Sequence, residues 1–153
     1  MPHESHHHGY LISDDPARLD VDAVHAYLSR ESYWAAGVSR DVVERAIRHS
    51  LCIGIYSATG AQVGLVRVVT DYATFAWLCD VYVLESHRKQ GLSKMALRAV
   101  LDHPQLQSVR RMTLGTRDAH SLYAQFGFTP MAKPENHLER RNPALNLPVA
   151  SAR

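Results

Sequence analysis

Two cysteines in 153 residues are too few for a disulfide framework. Cys52 and Cys79 each lie among apolar neighbours in a predicted strand, which reads as buried free thiols in a reducing cytoplasm. No apolar run approaches the ~20 residues of a membrane span, and Met1-Pro-His-Glu-Ser-His-His-His-Gly9 lacks the apolar core of a signal peptide. The expectation is a cytoplasmic protein with no membrane partner. Net charge is also scarce: 17 Lys and Arg against 15 Asp and Glu leave +2, with the basic residues scattered, so no nucleic acid partner is expected. Two phosphate loops are missing as well. There is no Gly-x-x-x-x-Gly-Lys-Ser/Thr and no Gly-x-Gly-x-x-Gly, which excludes the nucleotide-hydrolase and dinucleotide loops.

What is present suits one globular domain, 46% hydrophobic and 21% charged, long enough to bury roughly two thirds of its unfolded surface. Residues 1–9 read as a flexible His-rich tail, 10–141 as the domain, and 142–153 as a frayed end. His3, His6, His7 and His8 on such a tail are too poorly organised for a specific metal site, so none is predicted. Tyr10 to Ser13 reads as a short first strand. Asp20 caps a helix to about Arg30, Glu31 to Val38 is a loop, and Ser39 caps a second helix with Val42, Val43, Ala46 and Ile47 inward. Leu51–Tyr56 and Gln62–Thr70 form a hairpin around Thr59-Gly60, followed by a strand from Phe75 to Leu84. A helix from Leu92, a strand over 111–116, a short helix from Asp118 to Phe126 closed by Gly127, and a possible last strand over 137–141 complete the order. This pattern predicts an α/β (α+β) fold, a mixed and mostly antiparallel sheet of six or seven strands with helices on both faces.

Arg88-Lys89-Gln90-Gly91-Leu92-Ser93-Lys94 lies between a strand and a helix. Gly91 and Ser93 let a ligand approach the backbone, and the unpaired N–H groups of the first helical turn point outward. The helix dipole, with Arg88, Lys89 and Lys94, favours a diphosphate there. Without Gly91 in place, the same charges would amount to a solvated turn before a helix.

This Arg-x-x-Gly-x-Ser loop resembles that of the GNAT acetyltransferase superfamily, which reads Arg/Gln-x-x-Gly-x-Gly/Ala. Upstream, Phe75-Ala-Trp-Leu-Cys-Asp-Val-Tyr-Val-Leu84 is similar to the family's preceding strand. Downstream, Ala119-His-Ser-Leu-Tyr-Ala-Gln-Phe-Gly-Phe128 is similar to its Ala-x-x-Leu-Tyr-x-x-x-Gly-Phe signature. The resemblance covers most of 51–131 and implies an acetyl-CoA-dependent N-acetyltransferase with acetyl-CoA as cofactor. It implies CoA contacts from Val81, Tyr82 and Val83 through a bulged strand, from Arg88, Lys89, Gln90, Gly91, Leu92, Ser93 and Lys94 at the diphosphate, and from Thr116, Asp118, Ala119, Leu122, Tyr123 and Phe126 on the last helix. Ser93 replaces the usual Gly or Ala, and Thr116 stands where many members carry an Asn that contacts the CoA arm.

Tyr123 matches the family tyrosine beside the sulfur and is the candidate acid for the departing thiolate. Read without the family, Ala119, Leu122, Tyr123 and Phe126 are one apolar helical stripe. Asp80, a carboxylate in an apolar strand, is the first candidate base, expected to have its pKa raised by desolvation. Glu85, His120 and an ordered water are the alternatives. Tyr33, Trp34, Tyr72, Phe75 and Trp77 are the candidate wall for a small primary amine, or else core or homodimer contacts. The competing functions are an acyl-CoA-binding sensor and a protein-interaction domain without turnover.

Overall fold

The computed structural model describes residues 1–145, and its sheet has six strands ordered as they occur in the chain: β1 (Glu4–His7), β2 (Tyr10–Ser13), β3 (Leu51–Tyr56), β4 (Gln62–Thr70), β5 (Phe75–Val83) and β6 (Arg111–Leu114). Every neighbouring pair is antiparallel except β5 and β6, which run parallel and are joined by a crossover containing a ten-residue helix, Leu92–Leu101. Parallel strands need such a crossover, whereas the antiparallel pairs β3–β4 and β4–β5 close with short turns. Among the described residues no helix is long and apolar enough to cross a membrane.

The alternation of side chains along the strands feeds two cores. The helices in chain order are α1 (Val21–Arg30), α2 (Arg40–Arg48), α3 (Leu92–Leu101) and α4 (His120–Ala124). One face of the sheet, carrying Ile53, Ile55, Val66, Val68, Ala76 and Leu78, packs against Leu92, Ala96, Leu97 and Val100 of α3. The opposite face, with Cys52, Leu65 and Tyr82, is covered by Val24, Tyr27 and Leu28 of α1 and Val43 and Ile47 of α2. Asp20 and Ser39 cap these helices as predicted, each accepting from a main-chain N–H of the first turn. Both cysteines are free thiols, and burial pushes Cys52 up to about 12, which keeps it inert.

Three expectations are corrected. Residues 1–9 are not a loose tail. His8 and Gly9 both have positive φ (48° and 83°), the geometry of a two-residue hairpin turn, and they fold β1 onto β2 in the register Glu4↔Ser13 to His7↔Tyr10. Asp14 Oδ1 accepts from His3 N, and Asp14 Oδ2 accepts from His3 Nδ1 at 3.0 Å and from buried His103 Nε2 at 2.8 Å. His103 Nδ1 accepts from Gln105 N, so Nε2 carries the ring hydrogen. Second, residues 137–141 form no strand, leaving one edge of β6 unpaired among the described residues. Third, α4 starts later than predicted, at His120: Asp118 does not cap it, its N-cap is Ala119 with no side-chain cap, and Thr116 Oγ1 accepts from Ala119 N in the turn before it. It closes at Gly127 (φ 86°), where Phe128 N donates to the Tyr123 carbonyl and Gly127 N to that of Ala124. Of the predicted C-terminal end, 143–145 form an exposed single turn, and 146–153 lie outside the described residues.

Candidate active site

The parallel pair is short, and the site lies where it ends. β5 and β6 are in register from Phe75↔Arg111 to Leu78↔Leu114; past Leu78, β5 runs on to Val83 while the chain beyond Leu114 turns away into α4. A cleft of about 300 Å³ opens between them. One wall is Val81, Tyr82 and Val83; the opposite wall is Asp118, Ala119, Leu122 and Tyr123; Tyr27, Glu31, Tyr33 and Trp34 cover one side, with Arg88 and Ser93 lining it as well.

β5 is bulged at this cleft. Its pairing with β4 passes from Leu65↔Tyr82 to Arg67↔Cys79, so β5 advances one residue more than β4, and Asp80 has φ 47°. The bulge implied by the family resemblance is therefore present. Asp80, however, is not an unpaired carboxylate among apolar groups. Its Oδ2 takes Arg67 Nε at 2.6 Å and its Oδ1 takes Trp34 Nε1 at 2.7 Å, while Arg67 Nη1 donates to Ser50 Oγ. Burial opposes the charge on Arg67, but the Asp80 carboxylate outweighs burial and holds the Arg67 pKa above its usual value. With both carboxylate oxygens engaged, Asp80 anchors the bulge to β4 and holds Trp34.

The loop over 88–94 leads from β5 into α3, as predicted. Lys89 (φ 64°) and Gly91 (φ 76°) are both left-handed, and Gly91 is the N-cap of α3, whose first turn receives no side-chain cap. Those amides remain available to a ligand. Of the predicted side chains, Lys89, Gln90 and Lys94 are exposed at the loop, whereas Leu92 is 2% exposed in the core and offers only its N–H. Arg88 folds back: Nε donates to the Val83 carbonyl at 2.8 Å and Nη2 reaches Tyr27 Oη at 3.5 Å. It locks the loop to the end of β5.

Tyr123 is 8% exposed, its ring edge-on to Phe128 at 5.8 Å. Burial foremost, then Tyr33 and Asp118, push its phenol up to about 12, so it is protonated at neutral pH and able to donate. Thr116 Oγ1 accepts from Ala119 N in the turn before α4, and Phe126 faces a different groove with Arg98 over its ring at 5.1 Å. His120 is exposed on that groove, about 1140 Å³ between β6, α4 and residues 128–137, and Glu85 lies in an exposed turn; neither lines the cleft. Tyr33 and Trp34 do line it. Tyr33 is held by Arg117, whose N–H donates to its Oη and whose guanidinium stacks 3.8 Å over its ring. Tyr72, Phe75 and Trp77 lie outside the lining, about 40% exposed toward the other end of the sheet. Two lining residues are missing from the sequence-based set: Tyr27, stacked on Tyr82 at 3.9 Å, and Glu31, the C-cap of α1. The sequence signal for Glu31 is that it opens the loop carrying Tyr33 and Trp34.

Comparison with known proteins matches residues 21–128 to the family model described as Acetyltransferase (GNAT) family. A Gibberella zeae protein named "Putative acetyltransferase FG08082" is 37% identical over 135 residues, 76% of each chain. Among solved structures, a Xanthomonas campestris pv. campestris protein described as "a putative acetyltransferase belonging to the gnat family" superposes with a TM-score of 0.84 at 46% identity, covering 95% of this chain and 97% of the other. A GNAT family acetyltransferase of Streptococcus pneumoniae TIGR4 shares the fold at TM-score 0.61 and 18% identity, covering 93% of this chain and 96% of its own.

Proposed function

Since the chain belongs to the GNAT acetyltransferase family, whose members generally use acetyl-CoA, we propose that it transfers the acetyl group to a primary amine of a small molecule by direct attack on the thioester. The residues present fit acetyl-CoA as substrate: a left-handed glycine opens α3 with its first-turn amides uncapped, as a diphosphate requires, and a bulged strand faces the cleft beside it. The single observation that carries the reading is that this bulge faces a buried, protonated tyrosine across the same cleft.

In this assignment the amides of Gly91 to Lys94 hold the diphosphate, and main-chain N–H groups of Val81 to Val83 support the arm and the thioester oxygen as negative charge develops. Glu31, Tyr33 and Trp34 receive the amine, the carboxylate attracting a cation and the rings burying its body. The bound ammonium first gives a proton to water, and the neutral amine forms the new N–C bond as C–S breaks. The remaining excess proton on nitrogen passes to water, Tyr123 Oη protonates the leaving sulfur, and the phenolate takes a proton back from water.

The test is release of free thiol from acetyl-CoA in the presence of an amine panel. Amine-dependent release supports the reading. CoA binding with no release across the panel supports a sensor instead, and absence of CoA binding refutes both.

A further inference from the structure

Resting on the reading that the loop at Gly91 grips the CoA diphosphate, we propose that the N-terminal hairpin is part of the coenzyme site, with His7 and Tyr10 as positioning residues for the loop's N–H donors. The two residues are cross-strand partners on either side of the His8-Gly9 turn. Both reach the same loop residue, Gln90, by separate contacts.

His7 Nε2 lies 3.2 Å from the Gln90 carbonyl oxygen. A carbonyl only accepts, so the imidazole donates. The Gln90–Gly91 peptide is trans and planar, and its N–H points opposite to its C=O. Holding the carbonyl toward the hairpin therefore turns the Gly91 N–H away from it. The approach is close: a Cβ built on Gly91 would lie 3.6 Å from His7 Nε2. The Gln90 side chain is fixed too. Its Nε2 donates to Tyr10 Oη at 3.1 Å and to the His87 carbonyl at 3.4 Å, and Tyr10 Oη is 2.7 Å from His87 Nδ1.

Beyond the Arg88 anchor, these contacts are what hold the turn at Gln90 itself. Gln90 is bracketed by two left-handed residues, and one of them, Lys89, bears a side chain that disfavours this conformation. A loop freed from the hairpin relaxes toward commoner backbone conformations and loses the alignment of its donors, while the Val81–Val83 strand that supports the rest of the arm is untouched. The hairpin thus acts on the diphosphate and not on the pantetheine arm.

The test compares two ligands that differ in that group. CoA is titrated calorimetrically into wild type, His7→Ala, His7→Gln and Tyr10→Phe, and turnover is measured with acetyl-CoA and with S-acetylpantetheine, which lacks the diphosphate. His7→Ala is expected to weaken CoA binding about ten-fold and raise KM for acetyl-CoA in step, with kcat and the S-acetylpantetheine rate within about two-fold of wild type. His7→Gln, whose amide also donates, recovers most of the loss, and Tyr10→Phe falls between, at about three-fold. CoA affinity within about two-fold of wild type in His7→Ala overturns the proposal. Equal losses with both acyl donors overturn it as well, because they mark a general loss of structure. Wild type that binds no CoA refutes the reading beneath it, and is distinguished by failing before any variant is compared.

Discussion

Replacing Tyr123 with Phe removes one hydroxyl and leaves the ring. The ring is 8% exposed and packed against Phe128, so its packing survives and the melting temperature should move by no more than about 2 °C. Thiol release should fall far more. A positioned general acid contributes roughly a hundred-fold or more, and at about 1.4 kcal/mol per factor of ten this is about 3 kcal/mol of barrier. KM for acetyl-CoA should hold within about two-fold, since the amides proposed to carry its diphosphate lie on α3. The pH profile adds a second check. With the phenol pushed up to about 12, only about one part in a hundred ionises at pH 10, so the wild-type rate should show no descending limb near the ordinary tyrosine value. The assay is thiol release from pH 6 to 10.5 for both proteins. A variant within about three-fold of wild type removes Tyr123 as the acid, and a wild-type limb near pH 10 that vanishes in the variant contradicts its burial-raised pKa.

Asp80→Ala strands the Arg67 charge and puts a side chain poorly suited to positive φ at the bulge, so about 3 kcal/mol of stability should go in a urea melt; Asp80→Asn, which tolerates that backbone, should lose less and keep more than about a tenth of the rate. Burial pushes the Asp14 carboxyl up, but bonds from His103 and His3 outweigh it and hold the pKa below the usual range. The stability this provides is complete above about pH 4 and is lost as pH falls through the folded value, so melting should drop steeply below pH 4 in wild type and less so in Asp14→Asn. A Cβ on Gly64 would meet the Tyr82 carbonyl and Ile55 Cδ1 at 2.8 Å each; Gly64→Ala should cost about 2 kcal/mol and lower the melting temperature by about 4–8 °C in calorimetry. Glu31→Gln should raise KM for a cationic amine about five-fold and leave that for acetyl-CoA unchanged, read from initial rates against each substrate.

Most of the fold is local in origin and legible in the sequence. The caps at Asp20 and Ser39, the glycine stop at Gly127 and the loop at Gly91 each sit within a few residues of what they control. The His8-Gly9 turn is equally local, yet the histidine-rich composition around it conceals a two-residue hairpin signal. What the sequence does not display is long-range. Asp80 meets Arg67 and Trp34 only because β4 lies beside β5 and the loop after α1 folds over both, so its burial can be anticipated while its partners cannot. The same geometry separates Tyr33 and Trp34 from Tyr72, Phe75 and Trp77, which composition alone groups together.

The sheet order bears on how the molecule assembles. Short turns join β1 to β2 and link β3, β4 and β5, so these hairpins can zip at small loop-closure cost, whereas β2 reaches β3 only across α1 and α2, and β6 reaches β5 only across the α3 crossover. The wall carrying Tyr123 therefore docks after the β3–β5 meander and rests on four paired residues, Arg111 to Leu114. Hydrogen exchange should find β6 and α4 opening while β3 and β4 stay protected, which lets one side of the cleft breathe for ligand passage without disturbing the bulge on the other.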